Sequence, residues 1–291
     1  MRNAQRVILS FLLGHQGSPS KTRLVKMAFL VAQELPEGER GPFYDFLPYK
    51  YGPFSFALYR DLNELARDGW IRGDEDLEIL KTRKTEAAEE VEKMPVSLRE
   101  GVAKIERRFS RVSDHHLIKI IYDRYPRFTY FSELKAQSSS PPVAPISIYT
   151  IGYEGTSVDG FLNACIQHGI KQILDVRNNP WSRKWGFTKN ALAEFCSKVG
   201  IEYRHLPELG VPQEQRENLS TPASRRALLN RYEKAILPRH QEAMGQALRL
   251  IRTQPTALLC VEADANSCHR SRLAQALARN SGLPVHHLEA R

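Results

Sequence analysis

The sequence predicts an α/β protein. A C-terminal three-layer domain with a mostly parallel sheet is preceded by a mostly helical domain of winged-helix order. Three observations predict this. From residue 146 onward, short apolar runs alternate with helical patterns, and that alternation makes parallel strands joined by crossovers. Before residue 135, apolar periodicity is helical, with one aromatic extended stretch and one short hairpin. Between the two lies Lys135-Ala136-Gln137-Ser138-Ser139-Ser140-Pro141-Pro142-Val143-Ala144-Pro145. Ser and Pro bury little apolar area, and Pro opposes both helix and sheet, so 136–145 reads as an exposed linker. The domains are then 1–135 and 146–291.

The elements follow in order. Val7, Ile8, Phe11 and Leu12 form a helical stripe that ends at Gly14. Ser20 can cap a second helix carrying Leu24, Val25, Ala28, Phe29 and Ala32. Phe43 to Tyr51 is aromatic-rich and extended, and Gly52-Pro53 supplies a turn. Ser55 caps a third helix with Leu58, Leu62 and Leu65 on one face; Asp68-Gly69 stops it. Trp70-Ile71-Arg72 and Leu77-Glu78-Ile79-Leu80 read as a hairpin about Gly73-Asp74. Three helices and then a hairpin is winged-helix order. Further helices are expected near 85–93, 97–109 and 113–123. After the linker, strands are expected at Ser147 to Ile151, Gln172 to Val176, Glu202 to Leu206, Thr256 to Val261 and Pro284 to Leu288. Helices are expected at Val158 to His168, Lys189 to Val199, Ser224 to Arg252 (broken at Pro238) and Ser271 to Arg279.

Bulk properties narrow the function. Apolar residues make up 42% of the 291, enough for ordinary cores and against wholesale disorder. No apolar run reaches the ~18 residues of a membrane span, so no membrane partner is expected. The apolar run Val7 to Leu13 is short, with no small-residue cleavage site after it, unlike a signal peptide. Four cysteines without paired spacing point to a reducing compartment, hence a cytoplasmic protein. Net charge is +9; residues 141–291 hold 19 Lys and Arg against 13 Asp and Glu, a net of +6. That excess favours polyanionic partners such as nucleic acid, and equally serves solubility.

Four strand ends carry polar clusters. They are Gly152-Tyr153-Glu154-Gly155; Asp175-Val176-Arg177 with Ser182 and Arg183; Tyr203-Arg204-His205 with Glu208; and Cys260, Glu262, Cys268, His269 and Arg270. Parallel strands share one carboxyl edge, so these groups can converge in one cleft. Cys268 falls near a helix start beside His269, Arg270 and Arg272, surroundings that lower a thiol pKa and make it a nucleophile. Cys260, on an apolar strand, reads first as a core residue. Asp175 and Arg177 alternate about Val176, so a continued strand would send them to opposite faces. Arg177, Arg183 and Arg270 suit phosphate or carboxylate, while Glu154, Glu208 or Glu262 suits a general base if buried. For each of these, a salt bridge within the cleft is the plainer reading. Trp181, Trp185 and Phe187 beside Arg183 and Lys184 either stack on a base or form a loop core. Cys-x5-Arg is absent, which disfavours a phosphatase loop. No metal ligand set is assigned: Cys260 and Cys268 are eight apart, and His286-His287 point oppositely on a strand. No glycine-rich cofactor fingerprint appears, so no cofactor is assigned.

Two resemblances add to this. At Lys50-Tyr51-Gly52-Pro53-Phe54-Ser55, with Leu58, Asp61-Leu62, Leu65 and Gly69-Trp70-Ile71, residues 1–80 resemble Panacea-type antitoxin and related winged-helix domains. The resemblance implies a scaffold for DNA or protein contact, with Arg60, Asn63, Arg67 and Arg72 as the DNA-facing candidates. The third helix would expose Asp61 and Glu64 beside them, a face of mixed sign that phosphates disfavour. Tyr149-Thr150-Ile151-Gly152-Tyr153, Asp175-Val176-Arg177 with Pro180 and Ser182, Tyr203 to Gly210, and Leu259-Cys260-Val261-Glu262 with Cys268-His269-Arg270 resemble the bacterial family Domain of Unknown Function 488. That resemblance covers 146–291 and implies a compact α/β domain whose motif residues line a pocket. It carries no assigned reaction. Tyr153 departs from it, since many members have histidine there.

The expected function is a nucleic-acid-associated two-domain protein. Its α/β cleft takes an anion, nucleotide or phosphate-bearing small molecule, with Cys268, Glu262 and Glu154 as catalytic candidates. Gly152, Tyr153, Asp175, Arg177, Ser182, Arg183, His205, Glu208, Cys260, His269 and Arg270 are the expected ligand-binding set. The alternatives are a ligand-sensing transcriptional regulator and an antitoxin-like adaptor with a protein partner.

Overall fold

Five strands in the second half of the chain, β5 (Ile148–Gly152), β6 (Gln172–Asp175), β7 (Glu202–His205), β8 (Thr256–Cys260) and β9 (Val285–Leu288), pair side by side, all parallel, in the order β7-β6-β8-β5-β9. They belong to a computed structural model that describes residues 1–134, 140–216 and 221–290. The chain divides into two units, Met1–Ser140 and Pro141–Arg291. Residues 136–139 of the expected linker lie outside the described residues.

In the first unit, α1 (Asn3–Gly14) and α2 (Lys21–Glu34) bury the stripes their periodicity marks. Ser20 caps α2, its Oγ accepting from the Arg23 N–H at 3.0 Å. A short α3 (Glu37–Arg40) follows. The aromatic stretch is extended only at β1 (Leu47–Tyr49), which pairs antiparallel with β2 (Gly52–Phe54). The turn therefore sits at Lys50-Tyr51, one step before the expected Gly52-Pro53. Gly52 opens β2 at φ +87°, a left-handed angle that favours glycine.

Ser55 caps α4 (Phe56–Arg67) through the Leu58 N–H at 3.2 Å. Strand β3 (Ile71–Arg72) pairs antiparallel with β4 (Glu78–Ile79) across the loop at 73–77. Then come α5 (Lys84–Glu92), α6 (Val96–Phe109) and α7 (Asp114–Arg124). Phe29 is the hub of this core, meeting Phe46, Tyr125 and Phe128 edge-on at centroid distances of 5.3, 5.0 and 4.7 Å. Such edge-on contacts add to simple burial.

Asp61 corrects one expectation. It is buried rather than exposed, because it falls in the apolar stripe Leu58, Leu62, Leu65 of α4. Its carboxylate accepts from Tyr44 Oη at 2.8 Å and Arg2 at 2.6 Å.

Lys26 is also buried, its Nζ donating to the carbonyls of Tyr51 and, at 3.0 Å, Pro53. Burial lowers its pKa to about 7. The unfolded chain, with an ordinary lysine, then binds more protons above pH 7, so stability rises with pH up to the unfolded pKa of about 10.4. Thermal melts of the intact protein from pH 7 to 9 should show the first unit's transition rising, and Lys26→Met should flatten that rise. The variant should also cost about 1–3 kcal/mol, because two carbonyls lose their donor. Equal slopes in both proteins would refute this account.

The second unit alternates as the sequence predicts. It runs β5 (Ile148–Gly152), α8 (Val158–Gln167), β6 (Gln172–Asp175), α9 (Lys189–Lys198) and β7 (Glu202–His205). It continues with α10 (Pro222–Arg231), α11 (Gln241–Thr253), β8 (Thr256–Cys260), α12 (His269–Ser281) and β9 (Val285–Leu288). Between α10 and α11 the chain makes a π turn at Tyr232–Ile236 and a 3-10 turn at Leu237–Arg239, where Pro238 prevents one continuous helix.

From β5 the chain moves to β6 on one side, and from β8 it moves to β9 on the other. Right-handed crossovers in opposite directions place α8 and α12 on opposite faces. One face of the sheet, with Ile148, Leu174 and Leu258, packs on α10, α11 and α12. Because β5 and β8 are neighbours whose chains leave in opposite directions, their carboxyl ends form a topological switch point, where open α/β sheets bind ligands.

Candidate functional site

Gly152 and Cys260 end β5 and β8 as register partners, and the loops beyond them interlock. The N–H groups of Tyr153 and Glu154 donate to the Val261 carbonyl at 3.1 and 2.9 Å. In return the Ala263 N–H donates to the Glu154 carboxylate at 2.9 Å. Arg270, in the first turn of α12, reaches back beneath this loop. Its guanidinium donates to the carbonyls of Glu262 and, at 2.9 Å, Ala263. It is 1% exposed, so its charge fastens the loop instead of facing a ligand.

Arg177 has a comparable fate. The strand β6 ends at Asp175, so the backbone turns and the two side chains come together, contrary to the expected opposite faces. Arg177 Nε and Nη2 donate to the Asp175 carboxylate at 2.9 and 2.6 Å. Nη1 donates to Tyr153 Oη at 3.1 Å and to the Phe187 carbonyl at 2.9 Å. Tyr203 Oη donates to the same Asp175 at 2.6 Å, and His205 Nε2 donates to the Arg177 carbonyl at 2.8 Å. Burial opposes the arginine's charge, but Asp175 outweighs it and raises the guanidinium pKa. Tyr153 stacks flat on Phe187 at 4.1 Å. This cluster at the ends of β6 and β7 is a closed, internally paired structure. Ser182 lies at its rim, 3.5 Å from Tyr153 Oη, while Arg183 and Glu208 are exposed. Phe187 belongs to the loop core, whereas Trp181 is exposed.

Cys268 also departs from expectation. Burial, and then the neighbouring Cys260 thiol, push its pKa well up, although His269 pulls the other way. The flanking arginines do not reach it. Arg270 is spent on the loop carbonyls, and Arg272 faces Glu233 at 3.7 Å. A low-pKa thiol nucleophile is therefore not what this environment makes. All four cysteines are free and buried. Cys260 Sγ lies 3.3 Å from a Glu262 carboxylate oxygen and 3.6 Å from His269 Nδ1. Burial raises the Glu262 pKa, but hydrogen bonds from Cys268 and the backbone, the nearby His269 and the Cys260 thiol outweigh it, and the net shift is downward. Glu262 is thus an ionised carboxylate at neutral pH.

Above this group lies a cleft of about 340 Å³. Glu154, Glu262, Ser267 and His269 line it from the strand ends, and Val211, Arg216, Arg225, Leu228 and Leu229 line it from the loop after β7 and from α10. Of the expected site residues, this cleft gathers Glu154, Glu262 and His269. Arg216, Arg225 and Ser267 were not foreseen. Arg216 is held by a bond from its Nε to the Val211 carbonyl at 3.1 Å. A basic loop ahead of a Pro-started helix was the only signal for it, and nothing in the local sequence says that α10 covers the strand ends.

The four candidate DNA contacts of the first unit are placed as follows. Arg60 meets Asp61 at 3.4 Å, Arg67 meets Asp68 at 3.1 Å, and Arg72 meets Glu78 at 2.6 Å; Asn63 is exposed.

Comparison with known proteins bears on the second unit. Residues 157–277 match the model of a family described as Domain of unknown function DUF488. The DUF488 match takes in β6, β7, β8 and most of α12, and with their loops Asp175, Arg177, His205, Cys260, Glu262, Cys268 and His269. No curated protein and no solved structure matches the chain. Among the described residues, no helix is long and apolar enough to cross a membrane.

Proposed function

We propose that the second unit binds and processes a phosphate-bearing ligand, a nucleotide or the end of a nucleic-acid strand, in the cleft above the β5–β8 switch point. The observation that carries this reading is the composition of that one cleft. Arg216 and Arg225 stand on the α10 side, and Glu154, Glu262 and His269 stand on the strand side. Guanidiniums suit bidentate phosphate contact. An ionised carboxylate beside an imidazole can accept and relay a proton. Arg216 and Arg225 take the anion-holding role first expected of Arg177 and Arg270, and Glu262 takes the proton-moving role. Cys268 lies beneath them as a buried support.

The first unit is read as a winged-helix-like module. Pairing of Arg60, Arg67 and Arg72 with carboxylates favours a protein-contact face, because phosphates reward net positive surface. Nucleic-acid association is accordingly assigned to the second unit, where the +6 excess of residues 141–291 resides.

Fluorescence anisotropy with a labelled single-stranded oligonucleotide, and calorimetry with nucleoside triphosphate, test this at 50 and 200 mM salt. Wild-type affinity should fall with salt. The Arg216→Ala/Arg225→Ala variant should bind about tenfold or more weakly, the size of a lost charge-assisted contact. Arg67→Ala/Arg72→Ala should bind as wild type. No wild-type binding to either probe, or equal binding by the Arg216/Arg225 variant, overturns the reading.

A further inference from the structure

The carboxyl end of β8 and the first turn of α12 bring two thiols and an imidazole into one buried group. Cys260 Sγ, Cys268 Sγ and a ring nitrogen of His269 all lie within 4.8 Å of one another. His269 Nδ1 is 3.6 Å from Cys260 Sγ and 4.0 Å from Cys268 Sγ. A tetrahedral zinc ion, with bonds of about 2.3 Å to sulfur and 2.0–2.1 Å to nitrogen, holds its ligand atoms about 3.5–3.8 Å apart. The two sulfur-to-nitrogen distances, 3.6 and 4.0 Å, are already near that spacing.

The imidazole is oriented for the task. His269 Nε2 lies 3.1 Å from the Val176 carbonyl. A carbonyl only accepts, so Nε2 carries the proton and Nδ1 turns its lone pair to the thiols. A ring N–H bound to a backbone carbonyl is the usual outer support of a metal-ligating histidine. Tyr232, in the π turn, packs edge-on against the same ring at 5.2 Å and fixes its plane. A carboxylate stands beside the three-atom group. The Glu262 carboxylate, 3.3 Å from Cys260 Sγ, faces the group from the cleft side. Arg270 holds the Glu262 backbone in place.

We propose that Cys260, Cys268, His269 and Glu262 form a binding site for a thiophilic divalent cation, zinc above all, at the floor of the cleft. Two sulfurs and one nitrogen select zinc over magnesium or calcium, which take oxygen ligands. Binding displaces the two thiol protons to solvent and forms two metal–thiolate bonds, with no change of oxidation state. Two thiolates, a carboxylate and the cation sum to one negative charge. That charge sits at the N-terminus of α12, where the helix dipole favours an anion. Glu262 and His269 both border the cleft, so a ligand seated there approaches the ion from the carboxylate and imidazole side. The site does not depend on the phosphate reading, since its ligands and their supports are all internal to the second unit.

Intact protein, stripped with chelator under reducing conditions, is titrated with cobalt(II). The expected result is one equivalent bound, with thiolate-to-cobalt charge-transfer absorption and the strong visible bands of tetrahedral geometry, all abolished by added zinc. Cys260→Ser and Cys268→Ser should each lose about half of the charge-transfer intensity and bind at least about tenfold more weakly. Glu262→Gln keeps both thiolates and lies beside solvent, so it should fold, retain the charge-transfer band and bind more weakly. Metal analysis of the untreated protein should find about one zinc per chain. Cobalt bound without charge-transfer absorption overturns the proposal, as does a band that survives in both serine variants. Freshly purified protein that is metal-free and carries a Cys260–Cys268 disulfide also overturns it. Failure of the oligonucleotide and triphosphate experiments leaves these spectra untouched, so the two readings fail separately.

Discussion

Arg177→Met should remove about 3–5 kcal/mol from the stability of the second unit, the loss typical when one partner of a buried ion pair is removed. The side chain is 2% exposed and Asp175 is fully buried, so the carboxylate left behind cannot turn to water. It would keep the hydroxyl of Tyr203 and the Arg177 backbone N–H, at 2.6 and 3.0 Å, and lose the guanidinium bonds from Nε and Nη2. The Phe187 carbonyl and Tyr153 Oη would lose a donor as well. Asp175→Asn should cost less, because it removes the uncompensated charge while keeping the shape. The double variant should cost clearly less than the two single losses added together, since neither charge remains. Urea denaturation followed by circular dichroism and by Trp181 and Trp185 fluorescence measures this. A loss below about 1 kcal/mol for Arg177→Met would mean that the pair is incidental to folding.

That pair also marks the limit of sequence reasoning. Alternation about Val176 is a sound rule for a strand, and β6 obeys it up to Asp175. The rule lapses where the strand stops, and no residue in Asp175-Val176-Arg177 announces the stop. The strands themselves were legible, because β5, β6 and β8 are buried on both faces and read as apolar runs between turn signals. Cap residues were legible too, since Ser20 and Ser55 act locally. Asp61 was misread because a carboxylate in an apolar stripe looks solvent-facing until Tyr44 and Arg2 arrive from elsewhere in the chain. The convergence of strand ends followed from parallel topology, and Glu154, Glu262 and His269 line one cleft. What local sequence could not supply was the roof. Arg216 and Arg225 come from a loop and helix whose return over the sheet is a tertiary event. The thiol–imidazole group escaped for a related reason. Cys260 and Cys268 lack knuckle spacing, yet a strand end and a helix start bring their sulfurs within 4.8 Å of each other.

Gly152→Ala should be as damaging as the ion-pair variant, through a different cause. The backbone of Gly152 is not left-handed, so alanine brings no conformational strain. It brings a collision. A Cβ at this position would lie 1.8 Å from the Glu262 carbonyl oxygen, 2.7 Å from its carbon and 3.2 Å from Arg270 Nη1. The nearest obstacle is backbone, which cannot swing aside as a side chain would. The loop carrying Glu262 must lift, and Arg270 then loses an acceptor for a buried charge. A loss of about 3 kcal/mol is expected, at the upper end of ordinary overpacking. The lifted loop should also carry Glu262 away from Cys260 and His269, so cobalt affinity should fall together with stability. Gly245→Ala supplies the control. Its Cβ would meet only Arg249 Nη1 at 3.6 Å, and it lies inside α11, so the variant should be neutral or gain about 0.5–1 kcal/mol. Thermal denaturation and cobalt titration of the two alanine variants decide the matter. If Gly152→Ala melts and binds cobalt as Gly245→Ala does, the β5–β8 crossing is looser than its hydrogen bonds imply. If it loses both properties, the close approach of Glu262 to Gly152 is what sets the position of the site's carboxylate ligand.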